Sequence, residues 1–360
     1  MGSKDTLFLS KIKMAWDNYF SQNTQLMFII CGSASSWIEK NILSSTGFVG
    51  RISHNMTLEE LPITSVSKFW NNPNISKYEI LKLLSVTGSI PKYLEEINPK
   101  ISTEENIKRL CFVPGGLLVN EFEHIFSDLF MHDTRIYRSI VEVLASGPKT
   151  MSDISQIIGF SRSGKLSNYL KELELSGFLS YDYGWNLKTT KESKIGLYRL
   201  KDNYLRFYLK YIATSLNKIK KESYLFQSLS ALPGWNSILA LQFENLVISN
   251  RLYVKNALGL NHNDILCDNP YVQRSTQNQE GCQIDYLIQD RFSSLYVCEI
   301  KFSKNLIGTE VIDQIQNKII KLKAPKHLSF RPVLIHANGI TDEVKFSQYF
   351  FRIIDFTDFI

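Results

Sequence analysis

Cysteine is scarce. Five residues (Cys31, Cys111, Cys267, Cys282 and Cys298) are spread through 360, an odd number with no CxxC pair. That spacing excludes a disulfide framework and a thiolate zinc site, and it suits reduced thiols in a cytoplasmic protein. The six histidines are equally dispersed. Long apolar runs are lacking too. The strongest, LMFIIC at 26–31, is far short of the roughly 20 residues a bilayer-spanning helix needs. No basic segment followed by an apolar core opens the chain, so neither a secretory signal nor a membrane partner is expected. Neither charge sign dominates: 41 Lys and Arg face 35 Asp and Glu, a net +6. That balance permits contact with an acidic polymer without requiring it.

Apolar residues make up 44% of the chain, with 22 Phe and 17 Tyr. A large core is therefore available, and the length suggests two or three domains. Residues 7–20 show helical periodicity. The run 26–31 ends in Gly32-Ser33 and reads as a strand buried on both faces of a parallel sheet. One strand cannot make such a sheet, so the chain is expected to begin inside a domain. Residues 65–130 read as helices, as do 204–225.

The rhythm changes over 134–200. Three helices are expected there, at 135–145, 154–158 and 166–175, followed by two short strands at 178–181 and 196–200. Three helices and a hairpin form a winged helix-turn-helix. Thr150, Ser152 and Asp153 supply cap residues for the second helix, and Ser161 to Ser163 for the third.

Within this region the stretch GFSRSGKLS at 159–167 nearly spells the phosphate-binding pattern G-x-x-x-x-G-K-[ST]. A true phosphate loop follows a buried strand and carries a hydroxyl after its lysine. Here a capped helix precedes Gly159, and Leu166 follows Lys165. The stretch reads instead as the turn before a recognition helix, with Arg162, Ser163, Lys165 and Asn168 as candidate DNA contacts. From 134 to 200, ten Lys and Arg face six Asp and Glu, a surplus of four that gives modest support to a DNA partner.

The most chemically pointed text is QIDYLI at 283–288, followed by LYVCEIK at 295–301. Both read as strands. Asp285 lies on the first; Glu299 and Lys301, two apart, share a face of the second. This is the D-x(n)-E-x-K arrangement of the PD-(D/E)XK nuclease fold. Two carboxylates suit Mg2+, a hard cation that takes oxygen ligands and activates water. A neighbouring lysine offsets developing negative charge. Glu244, on an apolar helix at 239–247, is a further candidate metal ligand beside Asp285 and Glu299. Gln314, on a helix at 309–322, is a candidate catalytic residue with Asp285, Glu299 and Lys301. The competing reading is a salt-bridged sheet face without catalysis.

The chain as a whole resembles the C-terminal part of prokaryotic and archaeal-type AAA ATPases. LMFIICGSASSW at 26–37, GFVGRISHNMTLEELP at 47–62, SVTGSIPKYL at 85–94, NIKRLCFVPGGLLVNEFEHIFSDLF at 106–130 and YRLKDNYLRFYLKYI at 198–212, with CQIDYLIQ and CEIKFS, carry the likeness in order. The resemblance implies a multidomain α/β protein. Residues 1–64 would be a remnant of the P-loop core, 65–130 a helical lid and 131–203 the winged helix. Residues 204–234 would connect to a nuclease-like domain at 235–360. It also implies Ser33 and Arg51 as remnant nucleotide sensors. Such relatives carry Walker A and Walker B elements before the equivalent of Leu7, and this chain has neither, as a truncated member would. ATP binding is therefore not expected unless a missing N-terminal half or an ATPase partner supplies it. Three functions stay open: DNA binding with Mg2+-dependent cleavage, a non-catalytic scaffold or regulatory module that works with an ATPase, or a protein that retains residual ATP binding.

Overall fold

A computed structural model describes residues 5, 7–32, 35–70, 75–130, 133–193, 195–277 and 279–360. It is a mixed α/β structure. None of its helices is long and apolar enough to cross a membrane.

The first helix, α1 (Phe8–Asn18), has no buried residue. The following run at 26–31 forms no strand. Leu26 to Ile30 are all exposed, Met27 by 81%, and Phe28 lies beside Trp16 and Phe20. The expectation of a buried strand is overturned for a physical reason. A strand is held by ladder hydrogen bonds to a neighbour, and the backbone of 27–31 has none among the described residues. Ser33 lies outside the described residues.

Helices α2 (Lys77–Thr87), α3 (Thr103–Cys111) and α4 (Leu117–Leu129) form the next layer. Ser76 and Ser102 cap the first two, each accepting the N–H of a glutamate three residues on. The next trio is α5 (Thr134–Ala145), α6 (Met151–Ile158) and α7 (Gly164–Leu175). A capping box between Thr150 and Asp153 starts α6. Gly159 ends it at φ +63°, in the left-handed region that favours glycine. Ser163 occupies the cap position of α7, but its side chain accepts no capping hydrogen bond. Strands β1 (Leu179–Asp182) and β2 (Leu197–Leu200) pair antiparallel, and Lys149 adds a bridge to Tyr198.

The C-terminal third opens with α8 (Trp235–Ser249) and α9 (Arg251–Ala257). A five-stranded mixed sheet follows, in the order β3 (Ile265–Gln273), β4 (Cys282–Asp290), β5 (Ser294–Lys301), β6 (Ser329–His336), β7 (Arg352–Asp355). The first three strands are antiparallel in sequence, and β5, β6 and β7 run parallel. The β5-to-β6 crossover carries α10 (Glu310–Lys321). The central strand β5 is buried along nearly its whole length. Tyr296, Cys298 and Ile300 join the core shared with α8, while Leu295 and Val297 join the core shared with Val311 and Ile315 of α10.

The hairpin loop between β1 and β2 is embedded against this sheet. Trp185, 3% exposed, donates its indole N–H to the Gln289 carbonyl of β4 at 2.8 Å. Gln289 returns its amide N–H to the Leu187 carbonyl at 3.0 Å. Behind the hairpin, a buried ion pair joins Arg199 to Asp182 at 2.7 Å, and Arg199 also donates to Asn245 of α8. One hydrophobic core runs from Ile63 through Leu144, Leu173 and Tyr204 to Phe356, across the boundaries expected at 130, 203 and 235.

Candidate functional site

The ladder between β4 and β5 extends to the pair Tyr286 and Cys298. Beyond it, a side chain takes over from the backbone: Asp285 Oδ2 accepts the Ile300 N–H at 2.9 Å. This contact turns the Asp285 carboxylate toward the end of β5, where Glu299 and Lys301 project from one face. Lys301 Nζ lies 2.8 Å from Glu299 Oε1. The three residues that sequence spacing singles out are therefore brought together.

A fourth group completes the cluster. Lys318, on α10, places its ammonium 3.1 Å from Asp285 Oδ1 and 2.5 Å from Glu299 Oε2. Each carboxylate oxygen thus has an N–H partner: Lys318 and the Ile300 amide on Asp285, Lys301 and Lys318 on Glu299. Glu299 is 2% exposed, and such burial of a charge is tolerated only with pairing of this kind. Val311 and Ile315 hold α10 on the sheet, and Lys318 follows on the next turn. Gln314, the candidate that the sequence pattern offers on this helix, is exposed and bonds to neither carboxylate. Lys318 stands four residues later on the same helical stripe, a spacing that identifies it once Gln314 is considered.

The electrostatics reflect burial first. Desolvation pushes Asp285 above the ordinary carboxyl range, with Glu299 adding to the rise and Lys318 opposing it. Burial lowers the pKa of Lys318, but Asp285 and Glu299 outweigh it and the net shift is upward. Glu244 approaches from α8. Burial, then the charge of Asp285, pushes it up to about 8. It makes no hydrogen bond to the other carboxylates. Near neutral pH this acid is therefore held largely protonated by its burial and by Asp285. Among the described residues, no group of three His, Cys, Asp or Glu is arranged to hold a metal. With Lys318 spanning the acidic pair, this donor set does not fit Mg2+.

A cleft of about 370 Å3 opens beside the cluster, lined by Cys282, Gln283, Asp285, Asn317, Lys318 and Lys321 among others.

The other candidates lie elsewhere. Arg162, Lys165 and Asn168 are exposed around the start of α7, and Ser163 is partly exposed. The opposite face of α7 is buried through Leu166, Tyr169, Leu170 and Leu173. Lys165 lies over the Tyr169 ring and 3.8 Å from Asp133. The short helix Ser35–Ile38 also lies against α7. Arg51 has its guanidinium engaged by Asp17 of α1, at 2.8 Å and 3.1 Å, and by the Gly47 carbonyl.

An uncharacterised protein of Methanocaldococcus jannaschii, MJECL04, is 27% identical over 228 residues, covering 62% of this chain and 49% of that protein. The chain therefore spans about half the length of the curated relative it matches. No protein-family model and no solved structure matches the chain.

Proposed function

We propose that this chain is a DNA-binding, non-cleaving module in which α7 is the contact helix. One observation carries the reading. α7 buries one face completely and presents Lys165, Asn168 and Lys171 on the other, with Arg162 just before it. Such donors suit phosphate oxygens and base edges. The reading treats Thr134–Leu200 as a winged helix in which the exposed side of α7, rather than the wing, meets DNA, because the hairpin loop packs on the sheet through Trp185 and Leu187. It treats the five-stranded sheet as a PD-(D/E)XK-like scaffold whose acidic pair is neutralised by lysines. The resemblance to AAA-type ATPases supports an ATPase partner for the module, and the mixed sheet and reduced cysteines are compatible with a cytoplasmic protein.

Fluorescence anisotropy with a labelled duplex, repeated across a salt series, tests this reading. Removing two phosphate contacts in an Arg162→Ala, Lys165→Ala double variant is expected to flatten the slope of log K against log salt by about 1.8. Affinity should fall for unrelated sequences alike. A wild-type protein without salt-dependent binding, or a variant with unchanged slope, overturns it. Incubation with supercoiled plasmid and Mg2+ or Mn2+ is expected to leave the plasmid intact. Nicking that disappears in Asp285→Asn would restore the phosphodiesterase reading.

A further inference from the structure

We propose that Lys318 is the resident cation of the acidic pair: its ammonium stands where a divalent ion would bind, and the site accepts a divalent ion only when that side chain is removed. The inference goes beyond DNA binding and does not depend on it.

Three observations carry it. First, among the described residues Lys318 Nζ is the one donor that touches both carboxylates, at 3.1 Å and 2.5 Å, which is the bridging position a shared cation takes between two acids. Second, charge is already balanced. Asp285 and Glu299 face Lys301 and Lys318, two carboxylates against two ammonium groups. A divalent ion entering this neutral set would meet two cations at close range. Third, the acids are less exposed than the lysine that bridges them. The side chains of Asp285 and Glu299 are 11% and 3% exposed, against 24% for Lys318. Lys318 stands on the cleft side of the pair, and the same cleft carries Lys321. Asp285 also lines this cleft, but a hydrated ion that reaches it there meets the Lys318 ammonium already on its Oδ1.

Removing only the ammonium should expose the site. Lys318→Met retains a similar chain length and leaves two carboxylates facing one lysine. Mn2+ serves as the probe, since its bound and free forms differ in electron paramagnetic resonance. Wild-type protein is expected to bind no Mn2+ at this site and to unfold at the same temperature with or without it. Lys318→Met is expected to bind one Mn2+ at least about tenfold more tightly than wild type, and to gain thermal stability from it, because an ion that binds only the folded state stabilises it. The double variant Lys318→Met, Asp285→Asn should lose both effects.

Two results overturn the proposal. One is Mn2+ binding by wild-type protein that Asp285→Asn abolishes. The other is a folded Lys318→Met protein that binds no better than wild type. If Lys318→Met fails to fold without metal, refolding with and without Mn2+ becomes the readout. Recovery only with Mn2+ supports the proposal, and no recovery counts against it. The wild-type and Asp285→Asn comparison remains decisive by itself.

Discussion

Replacing Glu244 by glutamine tests the electrostatics of the cluster from its far side. Glutamine keeps the shape of the acid and removes its charge. In the folded protein the Glu244 carboxyl is raised from 4.5 to about 8, first by burial and then by Asp285. The sign follows from linkage. Below pH 4.5 the acid is protonated whether folded or unfolded, so wild type and Glu244→Gln should be equally stable. As pH rises toward 8, the unfolded chain releases the proton and the folded site retains it. Wild type therefore loses stability relative to the variant across this window, by at most about 1.4 kcal/mol per pH unit. Over the 2.5 units to pH 7 the ceiling is about 3.4 kcal/mol. Glu244 is only partly buried by exposed area, and solvent screening reduces the effect to roughly half, about 2 kcal/mol. Urea denaturation of both proteins, followed by tryptophan fluorescence from about pH 5 to about pH 8, measures the difference. Glu244→Gln should be the more stable protein at pH 7, with an advantage that shrinks toward pH 5. A difference that stays flat with pH, or a variant less stable at pH 7, refutes the claim that Glu244 is held protonated.

Two further substitutions test the scaffold around the site. Trp185→Ala should cost about 3 to 5 kcal/mol in urea denaturation, because the indole fills the core between hairpin and sheet and satisfies Gln289. Trp185→Phe, which keeps a ring but loses the N–H and part of the indole, should cost at least about 1 kcal/mol for the hydrogen bond; equal losses in the two variants would mean that packing of the remaining ring contributes little. Gly159→Ala should cost about 1 kcal/mol in the same assay, and purely through its backbone, since no atom lies within 4 Å of the added methyl and only the φ of +63° opposes it. A neutral result there would show that the α6 to α7 turn relaxes.

Much of the local structure was legible in the residues. Thr150 and Asp153 close a capping box, and Gly159 takes the left-handed position after it. Together they show why GFSRSGKLS is a helix-to-helix turn: a phosphate loop needs a strand in front, and α6 is a helix. The alternation of β5 placed Glu299 and Lys301 on one face, and the short turn from β4 brought Asp285 to them. These features depend on neighbours a few residues apart, or on two strands joined by a tight connection, and period and spacing carry such information.

Contacts between distant segments followed other rules. The run at 26–31 has the composition of a buried strand, but a strand exists only with a ladder partner, and composition does not provide one. The hairpin loop at 183–195 is polar enough for a wing in solvent, but Trp185 and Leu187 found the apolar surface of a sheet more than 100 residues away. Lys318 came to the acidic pair by the same kind of long-range packing. Val311 and Ile315 seat α10 on the sheet, and that seating sets where the next turn delivers an ammonium group. The acidic pair, its neighbouring lysine and the caps and turns that frame the helices could be read from the residues, because each depends on local geometry. The second lysine across both carboxylates could not, because that contact depends on how a distant helix docks.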